Sequence, residues 1–209
     1  IYTEPNTGTT ITMLVQNPRH PETLYAGTSA GVVFRTTDGG QTWENLHSIS
    51  APAISPVFDA NDDTFYLLAS GKGIFRSRDN GSTFEAISGG SKSAVTKTLP
   101  EATSLATDPS RAGTVYAGTK NGLFRSRDFG DSWEEVPILE SSRKFPIRSV
   151  VINPRNSNEL LYSAALAVYR STDGGTSWST YQLDSNRAVG TLRYDPQEAN
   201  VLYLGLRVF

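Results

Sequence analysis

The sequence predicts an all-β protein, a β-propeller of four-stranded antiparallel blades. A motif of the form Ser/Thr-x-Asp-x-Gly-x-Thr/Ser-Trp/Phe occurs four times, and its aspartates lie 41, 49 and 45 residues apart. A tyrosine-containing apolar segment precedes each copy, and an Asn/Asp-Pro step precedes most of these segments. Each repeat is too small to bury an apolar face alone, so the repeats must stack against one another.

The composition narrows the range of functions. The chain has 209 residues, a formal net charge of −2, no cysteine and two histidines. We therefore expect no nucleic-acid partner, no cofactor and no metal site. No apolar run approaches the roughly 20 residues of a membrane-spanning helix, so we expect no membrane span. Because the first residue is Ile1 rather than Met, we expect a processed form or a fragment.

Each repeat predicts four strands in a fixed order. The first strand is apolar and ends at the Asn/Asp-Pro step, because proline lacks the N–H group that a strand ladder needs. The second strand carries the tyrosine, the third carries an arginine, and the fourth begins at the aromatic residue of the motif. The predicted blades are residues 11–47, 52–88, 102–137, 147–182 and the partial unit 188–209. The repeated tyrosines are Tyr25, Tyr66, Tyr116, Tyr162 and Tyr203, and the repeated arginines are Arg35, Arg76, Arg125 and Arg170.

The motif has the chemistry of a tight hairpin turn between the third and fourth strands. Its aspartate can accept backbone N–H groups across the turn, and its glycine stands where a positive φ is needed. Its aromatic residue is expected to be largely buried where adjacent blades meet. These expected structural residues are Asp38, Gly40, Trp43, Asp79, Gly81, Phe84, Asp128, Gly130, Trp133, Asp173, Gly175 and Trp178.

These motifs resemble the Asp-box, or bacterial neuraminidase repeat, and the resemblance covers nearly the whole chain. The sequence is similar to sialidase, xyloglucanase, sortilin-type and photosystem II assembly-factor-like propellers. The resemblance implies a propeller whose ligand face lies opposite the Asp-boxes. It does not choose between enzyme and non-enzyme, because the box is a structural element that both share.

Two arrangements of the blades are compatible with the sequence. Residues near the N-terminus could complete the last unit and close a five-bladed ring. Alternatively, the chain is part of a longer propeller, which we prefer because residue 209 would leave a bare edge strand.

The repeated charged residues favour structural roles. A catalytic set usually breaks repeat symmetry, whereas the box aspartates and the third-strand arginines obey it. The early Phe/Tyr-Arg-Ile-Pro motif of sialidases is absent, and no pair of carboxylates outside the repeats marks a glycoside hydrolase. Residues 59–63 resemble the start of a calcium loop but lack its glycine and its terminal glutamate. We therefore predict no catalytic residue and no metal ligand.

The interruptions of the repeat indicate the binding surface. Segments 88–100 and 140–146 connect blades on the face opposite the boxes, together with the turns between second and third strands. The candidate partner-binding residues are Lys72, Lys92, Lys97, Lys120, Arg143, Lys144 and Phe145. A locally basic face on a mildly acidic protein suits an acidic protein surface.

These observations lead to a hypothesis of function and to alternatives. We predict a non-catalytic scaffold that binds a protein partner outside the cytoplasm, in the periplasm or after secretion. One alternative is a carbohydrate-active propeller, either a glycoside hydrolase fragment or a glycan-binding module. Another is a purely structural array of blades.

Overall fold

The computed structural model describes residues 8–87, 99–139 and 144–208. These residues form five antiparallel sheets, and the helical structure among them is limited to one 3₁₀ turn, Leu99–Glu101. The strands are β1 (Ile11–Gln16), β2 (Leu24–Thr28), β3 (Val32–Thr36), β4 (Glu44–Ser48), β5 (Ala53–Phe58), β6 (Phe65–Ala69), β7 (Gly73–Ser77), β8 (Glu85–Ala86), β9 (Ala102–Thr107), β10 (Val115–Thr119), β11 (Leu123–Ser126), β12 (Glu134–Val136), β13 (Ile147–Asn153), β14 (Asn156–Ala164), β15 (Ala167–Ser171), β16 (Ser179–Gln182), β17 (Ala188–Tyr194) and β18 (Leu202–Arg207).

Consecutive strands pair within each sheet, which gives the up-and-down order of a propeller blade. Blade 1 is β1–β4, blade 2 is β5–β8, blade 3 is β9–β12, blade 4 is β13–β16, and blade 5 contains β17 and β18. The first strands pack against one another in series: β1 on β5, β5 on β9, β9 on β13 and β13 on β17. This arrangement confirms the predicted all-β propeller and places the first strands at its centre.

The apolar core is divided into one cluster for each junction between neighbouring blades. The blade 1–2 cluster includes Tyr25 and Phe65, and the blade 2–3 cluster includes Tyr66 and Leu105. The remaining two clusters join blade 3 to blade 4 and blade 4 to blade 5. Each blade therefore buries its apolar surface against its neighbours rather than within itself.

The Asp-boxes and the turns after the first strands share one face, here called the box face. Backbone bonds join them: Gly39 N donates to Glu22 O at 3.0 Å, and Phe129 N donates to Gly113 O at 2.9 Å. The turns between second and third strands lie on the other side, here called the far face, together with the fully described connections between blades at 49–52 and 183–187. Both kinds of loop reach it because antiparallel strands alternate in direction.

The aromatic residues of the boxes are partly buried, and most of each residue is covered. Phe84, Trp133 and Trp178 pack on the clusters that join their own blades to the preceding ones. Trp178 Nε1 donates to Pro137 O at 2.7 Å. The rings lie at the rim of each junction, because an indole N–H needs a partner that an apolar interior cannot supply.

The tyrosine of blade 4 does not occupy the position of the other repeated tyrosines. In blade 3, Tyr116 pairs across the sheet with Arg125, but in blade 4 the residue opposite Arg170 is Leu161. Tyr162 lies one residue later and stacks on Tyr169, with ring centroids 4.6 Å apart. A shift of one residue turns a strand side chain to the opposite face. Tyr162 therefore packs back towards blade 3, whereas Leu161 packs towards blade 5.

Candidate functional site

The box aspartates bind their own turns. Asp128 accepts hydrogen bonds from Ser132 N at 2.8 Å, Ser132 Oγ at 2.5 Å and Ser126 Oγ at 2.7 Å. The hydroxyl groups of Thr36 and Thr42 hold the pKa of Asp38 well below its usual range. The hydroxyl and backbone N–H of Ser177, with the hydroxyl of Ser171, lower the pKa of Asp173 to about 2. These carboxylates stay charged, bind within the box turns and lie on the box face.

The Asp128→Ala variant is expected to lose stability rather than a selective activity. The substitution leaves the Ser132 N–H and two hydroxyl groups without their acceptor, at a cost of about 1–3 kcal/mol. Thermal unfolding and partner binding should be measured on the same samples. A variant that keeps its Tm but loses binding would show that the box takes part in recognition.

Three of the four repeated arginines bind their blade to the box of the next one. Arg35 Nη1 donates to Asn80 O at 2.7 Å, and Arg76 Nη1 donates to Phe129 O at 2.6 Å. Arg125 Nη1 lies 3.3 Å from Gly174 O in the same arrangement. All three also pair with the first residue of their own fourth strand, as Arg76 does with Glu85 at 2.6 Å. Contacts between blades thus occupy these guanidinium groups.

A cavity of about 850 Å³ opens at the centre of the far face. Its walls are the first strands of blades 2 to 5, and turns of blades 2 and 3 form part of its mouth. The positively charged residues that line it are Lys120, Arg148, Arg193 and Arg207. Glu101 is the single carboxylate among the described lining residues, and its Oε1 lies 3.9 Å from Lys120 Nζ. The cavity is therefore polar and predominantly cationic.

The cavity wall is shaped by irregular pairing near the start of each first strand. The register shifts at Ile11/Met13 in blade 1, at Ile54/Val57 in blade 2 and opposite Gly118/Thr119 in blade 3. It shifts again at Ile147/Ser149 in blade 4 and at Val189/Thr191 in blade 5. A bulge bends a strand and redirects a side chain. The bulged positions include Thr12, Thr103, Arg148 and Gly190, and the last three line the cavity.

The structure places the predicted binding residues unevenly. Lys120 lines the cavity, whereas Lys72 is exposed on a neighbouring turn. Lys144 and Phe145 are exposed and precede Pro146, which lines the cavity. The remaining candidates, Lys92, Lys97 and Arg143, lie outside the described residues.

Sequence reasoning missed the three cavity arginines. One of them was visible as a break in the repeat. The first-strand residue opposite the second-strand tyrosine is Val15, Val57 and Ala106 in blades 1 to 3, but Arg193 in blade 5. Arg148 and Arg207 depend on strand register, which the sequence repeat does not reveal.

The acidic segment at residues 59–63 uses its carboxylates within the fold. Asp59 accepts from Asn61 N at 2.9 Å and from Gly113 N of the next blade at 2.7 Å. Asp62 accepts from Thr64 N at 2.8 Å. In the ranges that the structure describes, no group of three acidic or histidine side chains is placed to hold a metal ion. The described residues also contain no helix long and apolar enough to cross a membrane.

Comparison with known proteins supports the repeat and the fold. A BNR/Asp-box repeat model matches residues 34–45. A xyloglucanase of Hypocrea jecorina (strain QM6a) is 26% identical in an alignment of 175 residues that covers 75% of this chain and 19% of that enzyme.

Solved structures show the same architecture. A GH74 enzyme of Niastella koreensis superposes with a TM-score of 0.71 at 22% identity, over 94% of this chain and 33% of that one. YCF48 from Cyanidioschyzon merolae gives a TM-score of 0.69 at 12% identity, over 93% of this chain and 64% of that one. A structure of YCF48 bound to a D1 peptide gives 0.66 at 18% identity, over 97% of this chain and 63% of that one. This chain thus spans a minor part of the enzymes and under two thirds of YCF48.

Proposed function

We propose that this chain is a non-catalytic propeller that binds a protein partner through its far face. The observation that carries the proposal is the cationic cavity, which the first strands of four consecutive blades surround and which opens on that face. A preformed concave site is the usual form of a recognition site. The box face, in contrast, is occupied by turns that bind one another.

The surroundings of the cavity support a protein ligand. Exposed Lys144 and Phe145 lie beside its mouth, so a partner would meet a charge and an aromatic anchor at the rim. A peptide is bound in one structure of the similar propeller YCF48. We also propose a location outside the cytoplasm, since the similar propellers include an extracellular domain from B. thetaiotaomicron.

A carbohydrate-active function is the second candidate, because one of the similar proteins is a xyloglucanase. Glycoside hydrolysis generally needs two carboxylates about 5–10 Å apart across the scissile bond. The described lining of the cavity supplies Glu101 alone, and Lys120 is its neighbour. This lining supports binding rather than hydrolysis.

A variant of the irregular connectors, here called the connector variant, replaces Lys92, Lys97, Arg143 and Lys144 with Ser. It is expected to bind its partner more weakly and to unfold like the unmodified protein, because substitutions of charged residues outside the packed repeats usually change stability by about 0.5 kcal/mol or less. Cross-linking in a lysate of the source organism, followed by mass spectrometry, would measure recovery of the partner. Raising the salt concentration should mimic the loss, because exposed charges are screened over roughly 8–10 Å.

The matched control removes four positive charges from the box face. In this control, four exposed arginines are each replaced by Ser: Arg19, Arg111, Arg127 and Arg155. Recovery should be retained in this control. Equal loss in both variants would contradict recognition by the far face, and hydrolysis of a xyloglucan panel by the unmodified protein would establish the second candidate instead.

A further inference from the structure

We infer that the central cavity contains a carboxylate-binding site formed by Arg148 of blade 4 and Arg207 of blade 5, with Arg193 beside it. Its ligand is a carboxylate of a bound acidic peptide. This inference rests on the proposed function, since it names the chemical group by which the partner is held. Contacts and charges of the strands that line the cavity carry it.

In two blades the residue at the bulged position of the first strand bonds to the next blade. In blade 1, Thr12 Oγ1 donates to Ala53 O at the start of β5, at 2.7 Å. In blade 3, Thr103 Oγ1 donates to Ile147 O at the start of β13. The hydroxyl at this position therefore has a structural task at both junctions.

In blade 4, a different residue makes the hydrogen bond to the next blade. The carbonyl of Val189 corresponds to those of Ala53 and Ile147, and it accepts from Ser163 Oγ of the second strand at 3.2 Å. The bulged position of blade 4 is thereby released from the junction, and Arg148 stands there. The side chain of Arg148 lines the cavity instead of binding a neighbouring strand.

Blade 5 leaves the same position empty of a side chain. A Cβ built on Gly190 would lie 3.0 Å from Arg207 Cδ and 3.1 Å from Arg207 Cγ. The stem of Arg207 therefore crosses the first strand at the place that a side chain would otherwise fill. Two adjacent blades thus place arginines in one cavity. In blade 4, Arg148 itself stands at the bulged position. In blade 5, Gly190 at that position leaves room for the side chain of Arg207.

The charges of the cavity are unbalanced among the described residues. No ion pair within the described part of the chain involves Arg148, Arg193 or Arg207, whereas Lys120 has Glu101 as a neighbour. A guanidinium group binds a carboxylate through two parallel hydrogen bonds, which makes a carboxylate the natural ligand.

The first strands that carry Arg148 and Arg193 are hydrogen-bonded to their neighbours. Ser104 Oγ accepts from Val150 N at 3.0 Å, and Ser149 Oγ accepts from Leu192 N at 3.0 Å. These bonds join the first strands of blades 3, 4 and 5. The backbone that carries these two arginines is therefore fixed before a ligand binds, which lowers the entropy cost of binding.

Binding of a tetraglutamate peptide to the purified protein tests the inference. Titration calorimetry at low salt should detect tetraglutamate but not tetraglutamine. Arg148→Gln and Arg207→Gln should each weaken binding about 10-fold, the loss expected for one charge-assisted interaction. Gly190→Ala should also weaken it, because the added methyl group displaces the stem of Arg207.

The control is Arg111→Gln, which makes the same change of charge on the exposed box face. This variant should bind tetraglutamate like the unmodified protein. Equal weakening by Arg111→Gln, or no binding of tetraglutamate to the unmodified protein, would overturn the site. If Arg148→Gln still recovers the partner while the connector variant does not, the carboxylate site is wrong and the proposed far-face function stands.

Discussion

The Arg76→Met variant is expected to unfold about 2–4 kcal/mol more easily than the unmodified protein. The Arg76 side chain is only 5% exposed, yet it contacts Glu85 of its own blade and Phe129 O and Asp131 of the next. Methionine fills much of the volume but leaves the part-buried Phe129 carbonyl without its donor and two carboxylates without their cation. Urea unfolding with a probe in blade 3 would measure the loss.

Arg170→Met provides the matched control at the same position of blade 4. Arg170 pairs with Glu159 at 2.8 Å, and its side chain is 40% exposed. No box carbonyl among the described residues accepts from it. The Glu159 side chain is only 15% exposed, but Asn153 and Tyr194 also donate to its carboxylate. The loss here should therefore be about 1 kcal/mol or less. Equal losses at both positions would show that the contact with the next box contributes little.

Gly130→Ala is expected to destabilise the junction of blades 2 and 3 by about 2–5 kcal/mol. Gly130 has a φ of +94°, a conformation that costs an L-residue about 1–2 kcal/mol. Its added methyl group would also lie 2.4 Å from Ile87 Cδ1 of the preceding blade. Relief of that overlap needs movement of a packed side chain, which costs about 1–3 kcal/mol more.

Gly40→Ala separates the two contributions. Gly40 has nearly the same φ, +96°, but the nearest atoms to its built Cβ belong to its own blade and lie 3.9 Å away. This variant should show the backbone cost alone, measured as the shift of the urea midpoint. If Gly40→Ala and Gly130→Ala are equally destabilised, packing between blades does not constrain the box.

The repeat allowed the fold to be predicted, but it misled where one blade departs from it. The four boxes predict the hairpins because each box contains all the atoms that its turn needs. The tyrosine pattern is weaker, since Tyr162 is one residue out of step and Leu161 takes its place opposite Arg170. Alignment of the sequence repeats could not reveal this shift, because the register of β14 depends on its pairing with β13 and β15.

The candidate site was harder to predict for a related reason. Charged residues on irregular connectors are conspicuous in a sequence, and they led to Lys120 and to the neighbours of Pro146. The arginines of the cavity come from strands, where Arg148 stands at a bulge and Arg207 crosses Gly190. Their convergence depends on where the backbone bends, and a bulge has no short sequence signature.

The hydrogen bond between an arginine and the box of the next blade also has a consequence for the number of blades that a propeller can contain. Arg35, Arg76 and Arg125 all reach forward to the same carbonyl of the next unit. Duplication of one of these three units in the gene would therefore give the new boundary a donor on one side and an acceptor on the other, with no further substitution. The bond between these blades is thus compatible with a change in blade number, while the irregular residues of the cavity lie outside it.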